Sequence, residues 1–248
     1  MKIISMKNLI PVIAVVALGL AGCSDSTSKK AKAETQSVSD AQRVYVAPGK
    51  LDDYYAILSG GQRGSVFVYG IPSCRLIKEV PIFEARAALG YANNAGSETY
   101  KRLHDSGPMW GDTHHPVLSQ TNGRYDGRWL WINDKANGRV AKVDLRTFET
   151  VAIKHVSNIQ GAHGLAAYLP TCKYLFVNGE LEHDLNDSTD PANYHSVIAF
   201  LDSDTLEAKF EVLIAGNADI ASSGKDGRYV FSTMYNAENA VTSEGMIE

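Results

Sequence analysis

The sequence predicts an all-β protein of the β-propeller class. Three observations carry that expectation: a hairpin unit that recurs along the chain, Gly- or Asn-containing turns at matching places within it, and little helical periodicity. The unit opens on a short aromatic and aliphatic strand: YYAIL at 54–58, RWLWI at 128–132, KYLFV at 173–177 and RYVF at 228–231. Three of these run into the turns SGGQRG, NDKANG and NGELEH. A second strand follows, VFVY at 66–69, VAKV at 140–143 and VIAFL at 197–201. Each then meets a closing phrase, GIPSCRLIKEV, DLRTFETVAI or DSDTLEAKFEV. The last two share Asp-x-x-Thr, an aromatic or aliphatic residue and Glu, an Asp-started turn leading into a further strand. Strand, turn, strand, turn, strand at intervals of several tens of residues is the pattern of a propeller blade. A β-sandwich with similar hairpins is the competing arrangement. The best helical candidate, IFEARAALGYA from Ile82, is short. Blades of about 40–50 residues fit about four times behind the leader, the low end for a closed ring. The chain ends in the polar YNAENAVTSEGMIE, with no closing strand. The expectation is a partial propeller, the N-terminal part of a longer protein.

Residues 1–23 read as a targeting signal. Lys2 and Lys7 form a basic start, and Leu9 to Leu20 is an apolar run interrupted by Pro11 and Gly19. A good transmembrane helix wants about 20 apolar residues, so this run is too short. Its end, Leu20-Ala21-Gly22-Cys23, resembles the lipobox of bacterial lipoproteins, in which the cysteine is acylated. An ordinary secretory signal cut near the same place is the alternative, and either one exports the chain to the periplasm. Residues 24–43, SDSTSKKAKAETQSVSDAQR, hold Val38 as their one bulky aliphatic residue and read as a flexible polar tether. The propeller part then runs over 44–248. It is slightly acidic (net −4 for the whole chain), and no basic patch points to nucleic acid. Cys74 and Cys172 match no zinc or redox spacing, and they read either as a disulfide or as two unpaired buried thiols.

The segment GDTHHPVL at 111–118 sets His114 beside His115. Adjacent residues on a regular strand point to opposite faces. Pro116, however, biases His115 away from helix and removes a donor that a central strand would need. In a turn or bulge the two rings can converge. Imidazole is the commonest transition-metal ligand, and nitrogen-rich sites hold copper and nickel most tightly. Asp112 is placed to accept a ring N–H and so to orient a ligand. His163 sits in GAHGL, between glycines that permit close backbone approach. His104, His155, His183 and His195 lie among polar neighbours and read as solvated loop residues. From spacing alone, a surface pair and a metal site both remain open.

GDTHHP followed by YDGRWLWINDKANGRVAKVDL closely resembles the N-terminal propeller of nitrous-oxide reductases, as do SGGQRGSVFVYGIPS, GAHGL and VNGE. These phrases occur in the family's order from about Val44 to the last residue. The resemblance implies a seven-bladed propeller whose hub holds a four-copper sulfide cluster on seven histidines. There N2O is reduced by two electrons and two protons to N2 and water, the last step of denitrification. His114, His115 and His163 would be three of those ligands. YNAE resembles the family's structural calcium site, implying Tyr235 and Glu238, with a carbonyl from Met246. Many relatives have a histidine where Val117 stands, a position not counted among the ligands. The remaining copper and calcium ligands, and the cupredoxin domain with its two-copper electron-entry site, lie beyond Glu248 in the family. This chain alone is therefore expected to be inactive. The resemblance also implies a homodimer and an electron donor such as a c-type cytochrome or cupredoxin. Two other readings stay open: a non-catalytic exported propeller lipoprotein acting as a binding module, and a periplasmic copper or calcium carrier.

Overall fold

The computed structural model describes residues 38–84, 98–181, 183–184, 194–214 and 216–234. The leader, and residues 24–37 of the expected tether, lie outside these. Within the described end of the tether, Asp40–Arg43 forms one helical turn, α1, with no buried residue. A capping box explains it: Ser39 Oγ accepts from Gln42 N–H, and Gln42 Oε1 accepts from Ser39 N–H.

The strands form antiparallel sheets that follow one another along the chain. The first holds β1 (Tyr54–Ser59), β2 (Ser65–Ile71) and β3 (Leu76–Pro81), in that order. The second holds β4 (Val117–Thr121), β5 (Arg124–Asp134), β6 (Arg139–Asp144) and β7 (Glu149–His155). The third runs from β8 (Gln160–Ala167) through β9 (Tyr174–Leu181) and β11 (Tyr194–Asp202) to β12 (Ala208–Ile214). Its two-residue β10 (His183–Asp184) pairs with the start of β11. The fourth pairs β13 (Ala218–Ser223) with β14 (Val230–Met234). One helix, α2 (Glu98–Asp105), precedes the second sheet. The expected helix around IFEARAALGYA lies largely outside the described residues, and 82–84 are not helical.

These sheets are blades of a partial propeller. The sequence read each unit as three strands, but the second sheet has four and the third has four long strands plus the two-residue β10. The strands read as opening the unit at 128–132 and 173–177 are the second of their blades, β5 and β9. The strand missed in each case, β4 and β8, is the one that leads in from the histidine phrases.

Successive residues of a strand face opposite ways, so a blade between two others must be apolar on both faces. β5 meets that demand. Leu130 and Ile132 enter a core shared with Val66, Val68 and Val80 of the first sheet and Leu103 of α2. Trp131, between them, enters a second core with Leu165, Leu175, Val177 and Leu201 of the third sheet. Its indole N–H donates to Ser203 O at 3.0 Å. Where β6 buries polar groups between blades they are paired, as in Lys142 to Asp204 at 3.0 Å.

One turn is used four times. In each case the backbone N–H of the last residue closes onto a carbonyl four residues earlier: Cys74 onto Gly70, Phe148 onto Asp144, Cys172 onto Tyr168 and Leu206 onto Asp202. All four closing residues have positive φ, between 50° and 61°. The hydroxyl just before each (Ser73, Thr147, Thr171, Thr205) accepts the N–H two residues on. The shared Asp-x-x-Thr phrase is thus half of a wider pattern that also includes IPSC and LPTC. Cys74 and Cys172 are equivalent turn residues and both are free thiols, the first exposed and the second buried. This settles the choice left open by spacing, with Cys74 exposed where burial had been expected. Burial pushes the Cys172 thiol pKa up.

Candidate metal centre

The paired histidines stand in the segment that carries the chain from α2 into β4. Buried polar side chains hold that segment. Thr113 Oγ1 donates to Ser65 O at 2.7 Å and accepts from Gly60 N–H at 3.1 Å, tying it to the first blade. Asp134 Oδ1 accepts Asp112 N–H at 2.7 Å. Asp134 is paired with Arg139 at 2.7 Å, and neither side chain has measurable exposure. Arg139 also donates to Ser106 Oγ, Pro108 O and Trp110 O, gathering the loop ahead of the histidines. A side chain at Gly111 would place its Cβ 2.4 Å from the Asp134 carboxylate, so the close approach requires glycine. His114 N–H then donates to Asn133 O at 3.2 Å, and His115 N–H to Asn133 Oδ1 at 2.6 Å.

In this irregular backbone the two rings turn the same way, with centroids 4.9 Å apart and planes only 11° from parallel. His163 enters from β8. Its ring centroid lies 4.2 Å from that of His114 and 5.1 Å from that of His115. One nitrogen from each of the three rings lies within 4.8 Å of the others, close enough to share a metal ion or the edge of a cluster. Gly164 permits this: a Cβ there would sit 2.5 Å from Asp219 O and 2.6 Å from Ala221 N on β13.

The electrostatics favour the ligand form. Burial is the main cause lowering the pKa of all three histidines, and neighbouring positive charge adds to it: His163 and Lys135 at His114, His114 at His115, and Lys135 at His163. Neutral imidazoles with available lone pairs are what copper requires. His163 Nδ1 lies against Asp219 Oδ1, and Glu180 Oε1 is 4.0 Å away. Glu180 is itself paired with Lys135 at 2.6 Å. A carboxylate that accepts an Nδ1–H leaves Nε2 for a metal, but here Asp219 only lies close, and His163 Nδ1 makes no hydrogen bond among the described residues. His114 Nδ1 and Asp112 Oδ1 are both buried with no hydrogen-bond partner among the described residues. Asp112 stands close enough to favour a charged His114 ring, but no hydrogen bond joins it to either histidine of the pair. The donor set fits copper: three imidazoles with lowered pKa values, one buried and two half-buried, with the Nδ1 atoms of His114 and His163 making no hydrogen bond among the described residues.

The structure thus brings together His114, His115 and His163, expected from sequence, with Asp112 beside them. Tyr235, Glu238 and Met246 of the expected calcium site lie outside the described residues, as does Cys23. Two of the histidines read as loop residues, His183 and His195, are instead opposite one another across β10 and β11. Sequence reading missed Asn133, Lys135, Glu180 and Asp219. The first two were visible inside INDKAN and Glu180 inside VNGE, but nothing in spacing or charge pattern flagged Asp219.

Fold and site together define a propeller protein with three histidines gathered where adjacent blades meet, a group that could hold a metal. Comparison with known proteins gives the family. Residues 156–220, the third blade and the start of the next, match the model of the nitrous oxide reductase propeller repeat 2. The chain is 37% identical over 245 residues to the nitrous-oxide reductase of Stutzerimonas stutzeri, covering 94% of this chain and 37% of that protein. It is 38% identical over 216 residues to that of Pseudomonas fluorescens (83% and 33%), and 33% over 258 residues to that of Ralstonia nicotianae (98% and 40%). The family is that of the nitrous-oxide reductases, and this chain is related to their propeller part. It spans between a third and two fifths of the length of these relatives.

Proposed function

We propose that this chain is the N-terminal propeller part of a periplasmic nitrous-oxide reductase, and that His114, His115 and His163 supply three imidazoles to its copper cluster. The observation that carries this reading is the convergence of three rings from two blades, His163 buried and the paired His114 and His115 half-buried. The balanced reaction takes N2O, two protons and two electrons to N2 and water. Copper held there would supply the electron-rich ions that an inert oxidant and poor ligand demands. The chain's own part is to keep the imidazoles neutral by burial and to fix their directions. Asp219 lies against the His163 ring, and the Lys135–Glu180 pair adds no net charge beside it. Thr113, Asp134 and Arg139 hold the approach to the paired histidines.

The exposed apolar residues of the first and fourth sheets support further blades packing there: Tyr54, Tyr55 and Leu58 on β1, Ile220 on β13 and Phe231 on β14. The calcium ligands Tyr235, Glu238 and Met246, the lipid anchor at Cys23, the homodimer and a cytochrome or cupredoxin donor belong to this proposal through the family. In the complete reductase, His114→Ala or His163→Ala is expected to abolish the catalytic copper spectrum while leaving the electron-entry copper signal intact. A normal catalytic spectrum in both variants would overturn the ligand assignment.

A further inference from the structure

We infer that Asn133 is the positioning residue that sets the distance between the two halves of the metal centre. This rests on the copper reading above and deepens it. Asn133 is fully buried near the end of β5, on the face that Trp131 turns towards the third blade. Its Oδ1 accepts the His115 N–H at 2.6 Å. Its Nδ2 donates to Ala162 O at 2.6 Å and to His163 O at 2.5 Å. One planar amide therefore grips the backbone of a ligand in one blade and of a ligand in the next. Its own carbonyl accepts from His114 N–H, so all three histidines are tied to this residue.

Only an amide does this. Oδ1 must accept while Nδ2 donates to two carbonyls, which excludes Asp, Leu and the hydroxyl residues. Aspartate would keep the acceptor but turn its second oxygen on Ala162 O and His163 O. Asn178 on β9 repeats the donating half of the device one blade on, with Nδ2 donating to Asp219 O at 3.2 Å and Ser232 Oγ at 2.8 Å, while its Oδ1 accepts no hydrogen bond among the described residues. The repeat thus carries a clasp between blades, and in the second blade the clasp has been placed on the ligands.

The test uses the 248-residue chain with copper(I) alone as probe, titrated against a chromophoric chelator. Asn133→Asp and Asn133→Ser are compared with the parent, with His163→Ala, and with Leu201→Ala, a core truncation in the third blade. Removing such a supporting contact typically costs about 10–100-fold in metal affinity. The expected result is a loss of that size in both Asn133 variants, with X-ray absorption counting fewer than three imidazoles. Leu201→Ala should bind as the parent does even where it melts earlier. Unchanged affinity and three imidazoles in a folded Asn133 variant would overturn the inference. A second readout needs no metal: the His115 amide should exchange with solvent faster in Asn133→Ser than in the parent. If His163→Ala leaves copper affinity unchanged while that amide loses protection, the copper reading fails and the clasp stands. If the amide stays protected, the clasp fails.

Discussion

Arg139→Met tests the packing that delivers the histidines. Arg139 and Asp134 are both fully buried, paired at 2.7 Å, and the guanidinium also donates to Ser106 Oγ and to the carbonyls of Pro108 and Trp110 at 2.9–3.0 Å. Methionine matches the aliphatic part of the side chain but strips the charge. Asp134 would then be an uncompensated buried carboxylate, a change that costs about 3–5 kcal/mol. Against a total stability of roughly 5–15 kcal/mol, that is a large fraction. The Asp134→Asn/Arg139→Met double variant removes the stranded charge and should recover part of the loss. Arg139→Lys keeps a charge but not the fork that serves four acceptors, so it should fall between the parent and Arg139→Met. Urea unfolding followed by tryptophan fluorescence and circular dichroism gives the three differences. A loss below about 1 kcal/mol for Arg139→Met, with no recovery in the double variant, would refute the reasoning that this pair organises the loop.

Two further outcomes are expected. The three histidine pKa values are lowered in the folded chain, so above the ordinary value of 6.5 the rings are neutral whether folded or unfolded, and this contribution to stability is fully present. As pH falls below 6.5 the unfolded chain takes up protons that the folded one resists, and stability is lost. The urea midpoint should therefore drop between pH 7.5 and 5.0, less steeply in His114→Gln/His163→Gln; equal slopes would count against burial as the cause. A disulfide-exchange thiol reagent should modify Cys74 at once and Cys172 only on unfolding, because the latter is buried with a raised pKa. Equal rates for Cys74→Ser and the parent would contradict the exposure of Cys74.

The middle strands of the second and third blades were legible because they are long, aromatic or β-branched, and bounded by strong turn residues. β5 and β9, with β6 and β11, lie where the hydrophobic runs lie. The turns after β6 and β11 were legible too, through Asp-x-x-Thr. The turns at Cys74 and Cys172 use the same geometry with different residues before the hydroxyl. A backbone hydrogen bond leaves little trace in side-chain identity, so the turn at Cys172 escaped, and the one at Cys74, read as a closing phrase, was not matched to the shared Asp-x-x-Thr.

The sequence by itself determined the class of fold and singled out three histidines. Repetition of a half-buried strand pattern needs no partner to be seen, and His114, His115 and His163 stand in phrases that the family shares. What only the tertiary structure decided is that those histidines meet. β4 and β8 are short or built of small residues, so their burial depends on neighbours far along the chain. The approach of the His163 ring to the paired rings rests on contacts between blades: Asn133 reaching 29 and 30 residues ahead to two carbonyls, and Asp219 reaching back to the ring from β13. Such contacts are set by how one blade stacks on the next, and no local pattern of residues encodes that distance.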